Sequence, residues 1–240
     1  MAGPYPDAIR RTALLAGLVL VAGGAGAQDW GGAVGYGTDN IYRGVSLSSG
    51  QPAWLADLHY RGRDWSIGIG ATQERPPFQS SGAQITLYAD RRWQFDDDWS
   101  AKIGVLHYES PWNVWRDELS YTDLTAAIGW RGRWRLNLAL SADTPGLFSY
   151  RVATKKGRAA TAELSYQQPL QGRLAANAGF GYAHLDVAGL NYRYASAGLS
   201  YGLGDVYLYT SVLWSSPNAL RYNTGARDHT RWVTTLIWSF

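Results

Sequence analysis

Along almost the whole chain apolar and polar residues alternate with a period of two, and apolar spacing of the helical kind is weak throughout. In Ala83 to Phe95, the residues Ala83, Ile85, Leu87, Ala89, Trp93 and Phe95 share one face of an extended strand, and Gln84, Thr86, Tyr88, Asp90, Arg92 and Gln94 share the other. Only Arg91 breaks that separation. Arg133 to Ala142 sorts Trp134, Leu136, Leu138 and Leu140 against Arg133, Arg135, Asn137 and Ser141. Arg173 to Tyr182 sets Leu174, Ala176, Ala178, Phe180 and Tyr182 against Arg173, Asn177 and small residues. Similar segments lie near Trp30 to Gly37, Pro52 to Arg61, Trp65 to Thr72, Trp99 to Tyr108, Leu119 to Arg131, Ala159 to Gln167, Tyr192 to Leu203, Val206 to Trp214 and Thr230 to Phe240. The pattern predicts an all-β chain of about twelve strands.

The connections between these segments alternate between short and long. Short ones fall at Gly62-Arg63-Asp64, Asp96-Asp97-Asp98, Gly132, Pro169 to Gly172 and Gly204-Asp205. Long ones fall at Asp39 to Gln51, Gln73 to Gly82, Glu109 to Glu118, Thr144 to Arg158, His184 to Asn191 and Ser215 to His229. A soluble sandwich has no reason to sort its loops this way, whereas a transmembrane barrel has short periplasmic turns and long extracellular loops. The expectation is therefore an antiparallel up-and-down transmembrane β-barrel. Trp65, Trp93, Trp99, Trp130 and Trp134 lie beside the short turns, and Trp54, Trp112, Trp115, Trp214 and Trp232 near the long loops, as two interfacial girdles would.

Composition narrows the picture. With 12 Trp and 16 Tyr against 5 Phe, the aromatics are those that favour a membrane–water interface, although a carbohydrate-binding sandwich shares this bias. There is no cysteine, so neither disulfides nor thiolate metal sites are available. The net charge of +3 is spread along the chain without a basic block, which argues against nucleic acid as a partner. Arg10 and Arg11, the apolar run Thr12 to Gly24 and the small residues Ala25-Gly26-Ala27 read as a cleaved signal peptide over residues 1–27, leaving 28–240 as the barrel. The terminal Phe240, with Trp238, Leu236, Thr234 and Trp232 on one alternating face, resembles the signal read by the barrel assembly machinery.

The segment Tyr36-Gly37-Thr38-Asp39-Asn40-Ile41-Tyr42-Arg43-Gly44-Val45-Ser46, followed by Pro52-Ala53 and Leu58-His59-Tyr60, resembles the opening signature of the TorF family of porin-like barrels. Thr38 and Asn40 stand where that family carries Ser and Tyr. Gly104 to Pro111 and Glu118 to Leu124 are similar to its middle strands. The resemblance is strongest over roughly the first hundred residues and diffuse beyond Asp143. It implies an outer-membrane barrel and specifies no solute.

In a membrane barrel the polar face of each strand lines the lumen. Parity places Asp57, His59, Gln84, Thr86, Asp90, Arg92, Lys102, Asp123, Arg135, Asn137, Glu163, Arg173, Asn177 and Arg231 there, with Arg61, Arg131 and Arg133 near the periplasmic mouth. Cations outnumber carboxylates on this face by roughly two to one, which predicts either a weak anion preference or Arg–carboxylate braces between strands. In the first long loop, Asp39, Tyr42, Arg43 and Gly44 form a motif in which Asp39 and Arg43 are expected to pair and Gly44 to supply a turn. This loop or the basic one with Arg151, Lys155, Lys156 and Arg158 is a candidate plug, and the latter a contact for lipopolysaccharide phosphates.

The leading function is a narrow passive channel for small polar solutes. The alternatives are a barrel enzyme acting on lipid, or a non-conducting structural or adhesion barrel using loop aromatics such as Trp112, Trp115, Phe148 and Tyr150. No catalytic residue, metal ligand or cofactor motif is assigned: His59, His107, His184 and His229 are scattered, and neither a zinc-binding helix motif nor a phosphate-cradling glycine loop occurs. His107 has apolar-face parity and reads as interfacial; His184 with Asp186, and His229 with Asp228, are the candidate loop pairs. The partners implied are outer-membrane lipid, lipopolysaccharide, the assembly machinery and small polar solutes. Oligomeric state is not legible, since lipid-facing and barrel-facing surfaces share the same apolar parity.

Overall fold

A strand in hydrocarbon must pair on both edges, because no water is present to satisfy bare backbone groups. Closing a sheet on itself meets that demand with no edge left over. The computed structural model describes residues 29–75, 81–113, 116–145, 156–186, 189–222 and 228–240. The candidate signal peptide and the residues Trp115, Phe148, Tyr150, Arg151 and Lys155 lie outside them.

Twelve strands form one closed antiparallel barrel in sequence order. They are β1 (Asp29–Gly37), β4 (Ala53–Arg61), β5 (Trp65–Glu74), β6 (Gly82–Gln94), β7 (Trp99–Glu109), β8 (Tyr121–Trp130), β9 (Trp134–Pro145), β10 (Lys156–Pro169), β11 (Leu174–Leu185), β12 (Leu190–Leu203), β13 (Val206–Ser215) and β14 (Thr230–Ser239). The seam joins β1 to β14, with Tyr36 opposite Leu236 and Val34 opposite Trp238. Two further strands, β2 (Ile41–Tyr42) and β3 (Val45–Ser46), pair only with each other inside the first long loop. The helices α1 (Arg116–Leu119) and α2 (Pro217–Tyr222) sit in later loops, and no described helix is long and apolar enough to cross a membrane.

Burial follows the predicted parity but inverts the arrangement of a soluble sandwich. The large apolar residues Ile67, Ile69, Leu87, Ile103, Val105, Leu124, Leu136, Leu138, Leu140, Phe180, Leu199 and Leu236 all point outward into exposure. Asp57, His59, Asp123, Glu163, Ser165 and Ser200 are buried on the inside. So large a continuous apolar belt is untenable in water and is what a lipid-facing wall requires.

The five short turns lie at one end and the other six connections at the opposite end; five of these are long as the spacing predicts, but the one between β11 and β12 spans only four residues because the strands continue through His184 and Asn191. The turn between β8 and β9 has Arg131 and Gly132 at φ 54° and 61°, the double positive-φ form that suits the right-handed twist of flanking strands. This corrects the placement of Arg131: it stacks on the outward Trp130 ring at 4.8 Å and pairs with Asp98 at 3.2 Å instead of facing the lumen. Arg173 likewise falls in the turn before β11 and is exposed at the barrel mouth. Arg91, the one break in the alternation, lies in the girdle at the short-turn end. It reaches Asp64 at 3.0 Å and stacks on Trp93 at 5.4 Å, so its charge leaves the apolar belt. Trp99 and Trp130, 6.1 Å apart, and Trp134 and Tyr166, 4.4 Å apart, continue that girdle.

Several boundaries differ from the pattern reading, with β9 running on to Pro145 and β10 starting at Lys156. Leu119 belongs to α1, and β8 starts at Tyr121, because the alternation cannot distinguish a short helical turn leading into a strand. His184 is still within β11, not in a loop.

Candidate functional site: a lumen crossed by the first loop

Between β1 and β4 the chain has no long excursion into solvent; it turns back into the barrel. Arg43 and Gly44, at φ 49° and 77°, make the turn between β2 and β3, the mirror-image type that two-residue hairpins favour. Inside the barrel, Arg43 donates from Nη2 to Asp123 Oδ2 at 2.5 Å, and Tyr42 OH lies 3.1 Å from the same oxygen and 3.1 Å from Tyr108 OH. On the far side, the Gly44 carbonyl accepts from Ser215 Oγ at 2.6 Å, and Val45 packs among Ala159, Ala183, Leu185, Tyr192 and Tyr194. The hairpin therefore crosses the lumen from β7 and β8 to β12 and β13.

The expected Asp39–Arg43 pair does not form. Asp39 accepts from Ser46 and Ser48 at 2.6 and 2.8 Å and from Arg231 Nη1 at 3.3 Å, so it closes the base of the loop onto itself and onto β14. Arg43, at the tip, is carried too far inward to reach it. The cause is the register: with Ile41 opposite Ser46 and Tyr42 opposite Val45, Arg43 is at the tip of the hairpin and Asp39 at its base. The base is fixed further by Asn40 Nδ2 donating to the Gln73 carbonyl at 2.9 Å and by the Arg75 amide donating to the Leu47 carbonyl at 2.8 Å.

Asp123 is wholly buried and its only charged partner among the described residues is Arg43. Truncating one member of a buried pair strands the other, at a cost of about 3–5 kcal/mol. Asp123→Ala is therefore expected to loosen the hairpin while leaving the barrel closed. The check is limited trypsin digestion of the folded protein: cleavage after Arg43 appears in the variant and is absent from the wild type.

The remaining lumen-facing residues fall into separate groups. Asp57 joins His59 Nδ1 at 2.7 Å and Tyr88 OH at 2.8 Å, with Arg61 Nη2 3.3 Å from His59 Nε2, a network linking β4 to β6. Glu163 accepts from Tyr194 OH at 2.6 Å, and Asn177 donates to Ser200 Oγ at 3.0 Å. Asn137 is inward and half-buried. Toward the short-turn end, Arg92 and Lys102 share a single carboxylate, Asp90, at 3.3 and 3.8 Å. Arg135 has no hydrogen bond or ion pair to any described residue through its guanidinium. No inward arginine braces adjacent barrel strands through a carboxylate among the described residues: Lys102–Asp90 is the one such inter-strand pair, and Arg135 leaves a local surplus of cations beside it.

Beneath the hairpin lies a void of about 180 Å³, bounded by Ile41, Tyr42 and Leu47 above and lined by Gln84 and Thr86 among others; a smaller one of about 50 Å³ lies on its other side, beside Arg43 and Glu74. Several residues that shape this space carried no mark in the sequence reading. Tyr108 shares strand parity with Lys102 on β7, which places it inside, whereas β12, the strand of Tyr192 and Tyr194, carries no predicted lumen residue. Leu55, Leu106 and Ile237 also face inward, contrary to the rule that the apolar face meets lipid.

On the outer surface near the long loops, His107 lies 2.9 Å from Thr122 Oγ1 and 2.8 Å from Glu109 Oε1. Its outward parity agrees with the interfacial reading. His184 contacts Asn191 and, at 2.6 Å, Asp186; His229 Nδ1 lies 3.0 Å from the Ser215 carbonyl. No group of three potential metal ligands occurs among the described residues.

No protein-family model and no curated protein matches the chain. Among solved structures it is similar to the NanC porin, with a TM-score of 0.57 and 9% identity over 88% of this chain and 99% of that one. The KdgM porin follows at 0.54 and 11% over 88% and 99%. An outer-membrane channel from Pseudomonas putida F1 gives 0.53 and 11% over 90% and 96%. At such identities the likeness is one of fold: this chain has the architecture of small outer-membrane porins.

Proposed function

We propose that this protein is a narrow outer-membrane channel for small polar solutes, constricted by its own first loop and biased toward anions. The observation that carries the reading is the hairpin Ile41 to Ser46, which spans the lumen yet leaves voids of about 180 and 50 Å³ on its two sides. Twelve strands enclose more space than side chains alone fill and less than an open aqueous pore needs, so one loop across the bore is enough to set the aperture. The cationic excess at Arg92, Lys102 and Arg135 would concentrate anions on the short-turn side.

In this reading the short turns are periplasmic, residues 1–27 are a cleaved signal peptide, and Trp238 and Phe240 serve assembly. The resemblance of the first loop to the TorF signature gives that motif a use: Asp39 closes the base of the loop, Gly44 turns its tip, and Tyr42 and Arg43 dock it. An esterase reading would need His107 to activate Thr122 next to free oxyanion donors. The Thr122 amide instead donates to Asp143 Oδ1 at 3.0 Å, and neighbouring strand amides are engaged in the ladder.

The test is single-channel recording of the refolded protein in planar bilayers under a salt gradient. Discrete openings are expected, and Arg135→Ala should lower the chloride-to-potassium permeability ratio by about twofold or more. Arg173→Ala should change it little, since that side chain lies at the exposed mouth. A correctly folded barrel that never opens would overturn the channel reading.

A further inference from the structure

We propose that the larger void is a binding site for a small amphipathic anion, an organic acid with a compact apolar body. This deepens the channel reading and rests on it for the ligand's role as transported solute. An apolar wall and an unpartnered charge one strand beyond it carry it.

The first is the apolar patch. A lumen that only passes hydrated ions has no use for inward Leu and Ile, which cost hydration in an aqueous bore. Part of the patch serves the loop, since Ile41 packs on Leu213 and Val233. Leu47, Leu55, Leu106 and Ile237 still border the void. Facing them are short polar side chains, Ser165, Asn177, Ser196 and Ser211. A mostly apolar concavity with a few polar groups is the usual form of a small-molecule site. Its volume of about 180 Å³ slightly exceeds the roughly 150 Å³ that accommodates benzene in an engineered cavity. A six-membered ring with one small substituent matches that space.

The second feature is the unpartnered charge. Ser165, on the cavity wall, is directly opposite Arg135 in the β9–β10 ladder and donates from Oγ to its carbonyl at 3.4 Å. The Arg135 guanidinium has no partner among the described residues, and Lys102 and Arg92 behind it have one carboxylate between them. A planar guanidinium without a partner suits a carboxylate in two-point contact. An inorganic anion would leave the apolar wall unused, and a neutral hydrocarbon would leave the arginine unused. A ring bearing one carboxylate uses both.

The experiment is titration calorimetry of the folded, detergent-solubilised protein with benzoate, acetate and benzyl alcohol. Benzoate is expected to bind about tenfold or more tightly than either of the others. Arg135→Gln should reduce benzoate to the level of benzyl alcohol, and Leu55→Ser should reduce it to the level of acetate; Ile237→Thr repeats the second test should Leu55→Ser fail to fold, with gel heat-modifiability reporting the folded barrel. Equal affinities for benzoate and acetate, equal affinities for benzoate and benzyl alcohol, or undiminished binding in Arg135→Gln would overturn the proposal. Calorimetry does not depend on conductance. A barrel that binds benzoate but never opens would overturn the channel reading alone, and one that conducts chloride without preferring benzoate would overturn this site alone.

Discussion

Gly44→Ala is expected to expel the first-loop hairpin from the lumen, raising single-channel conductance and exposing Arg43 to trypsin. Gly44 has φ 77°, which an L side chain adopts only under strain, and a Cβ built there would lie 2.4 Å from Tyr194 Cβ. The tyrosine has no room to retreat. Its ring covers Gly181, where a Cβ would come within 2.0 Å, and its hydroxyl is held by Glu163. Backbone strain and overpacking together cost about 2–5 kcal/mol, enough to shift the balance of docked and released hairpin by about 30-fold or more. Gly50→Ala is the matched control: its φ is 73°, but nothing lies within 4 Å of the added methyl. If both variants conduct like the wild type and resist trypsin, the hairpin is not the constriction. If both open the channel, backbone strain alone is responsible and the tyrosine contact is incidental.

Leu138→Arg is expected to lower the stability of the vesicle-folded barrel by about 2–4 kcal/mol, the cost of a cation near the bilayer midplane. Asn137→Arg, one residue earlier, should cost little, because its side chain enters the polar lumen and not lipid. Leu138 is 44% exposed and lies between Ala126 and Ala162 on the neighbouring strands, so nothing on the protein surface would neutralise the new charge. Urea unfolding from lipid vesicles checks both. Equal effects at the two positions would mean that the outward belt does not face lipid.

The wall of the barrel was legible because each of its requirements is local. Period-two alternation sets the faces, turn length sets which strands can be antiparallel neighbours, and tryptophans mark the strand ends. Even the one violation, Arg91, is explained by local surroundings, with Asp64 and Trp93 at the same rim. The errors of wall assignment are likewise local: Arg131 and Arg173 have lumen parity by counting, but they sit in turns where alternation has stopped.

The interior was much less legible. The motif around Arg43 is visible in the sequence, where Asp39 four residues away is the nearest carboxylate, yet its partner is Asp123. A contact between residues 80 apart in the chain exists only once β4 to β8 have curved round to face the loop. The same holds for Tyr194 between Gly44 and Gly181, and for Leu55, Leu106 and Ile237 meeting around one void.

Residue chemistry repeated at a fixed spacing is enough to define an antiparallel barrel and the outward and inward faces of its strands. Only the tertiary structure decided that the first loop folds inward, which charges pair, and what space remains. Those outcomes depend on which distant side chains closure brings within a few ångströms of one another, and backbone periodicity carries no information about that.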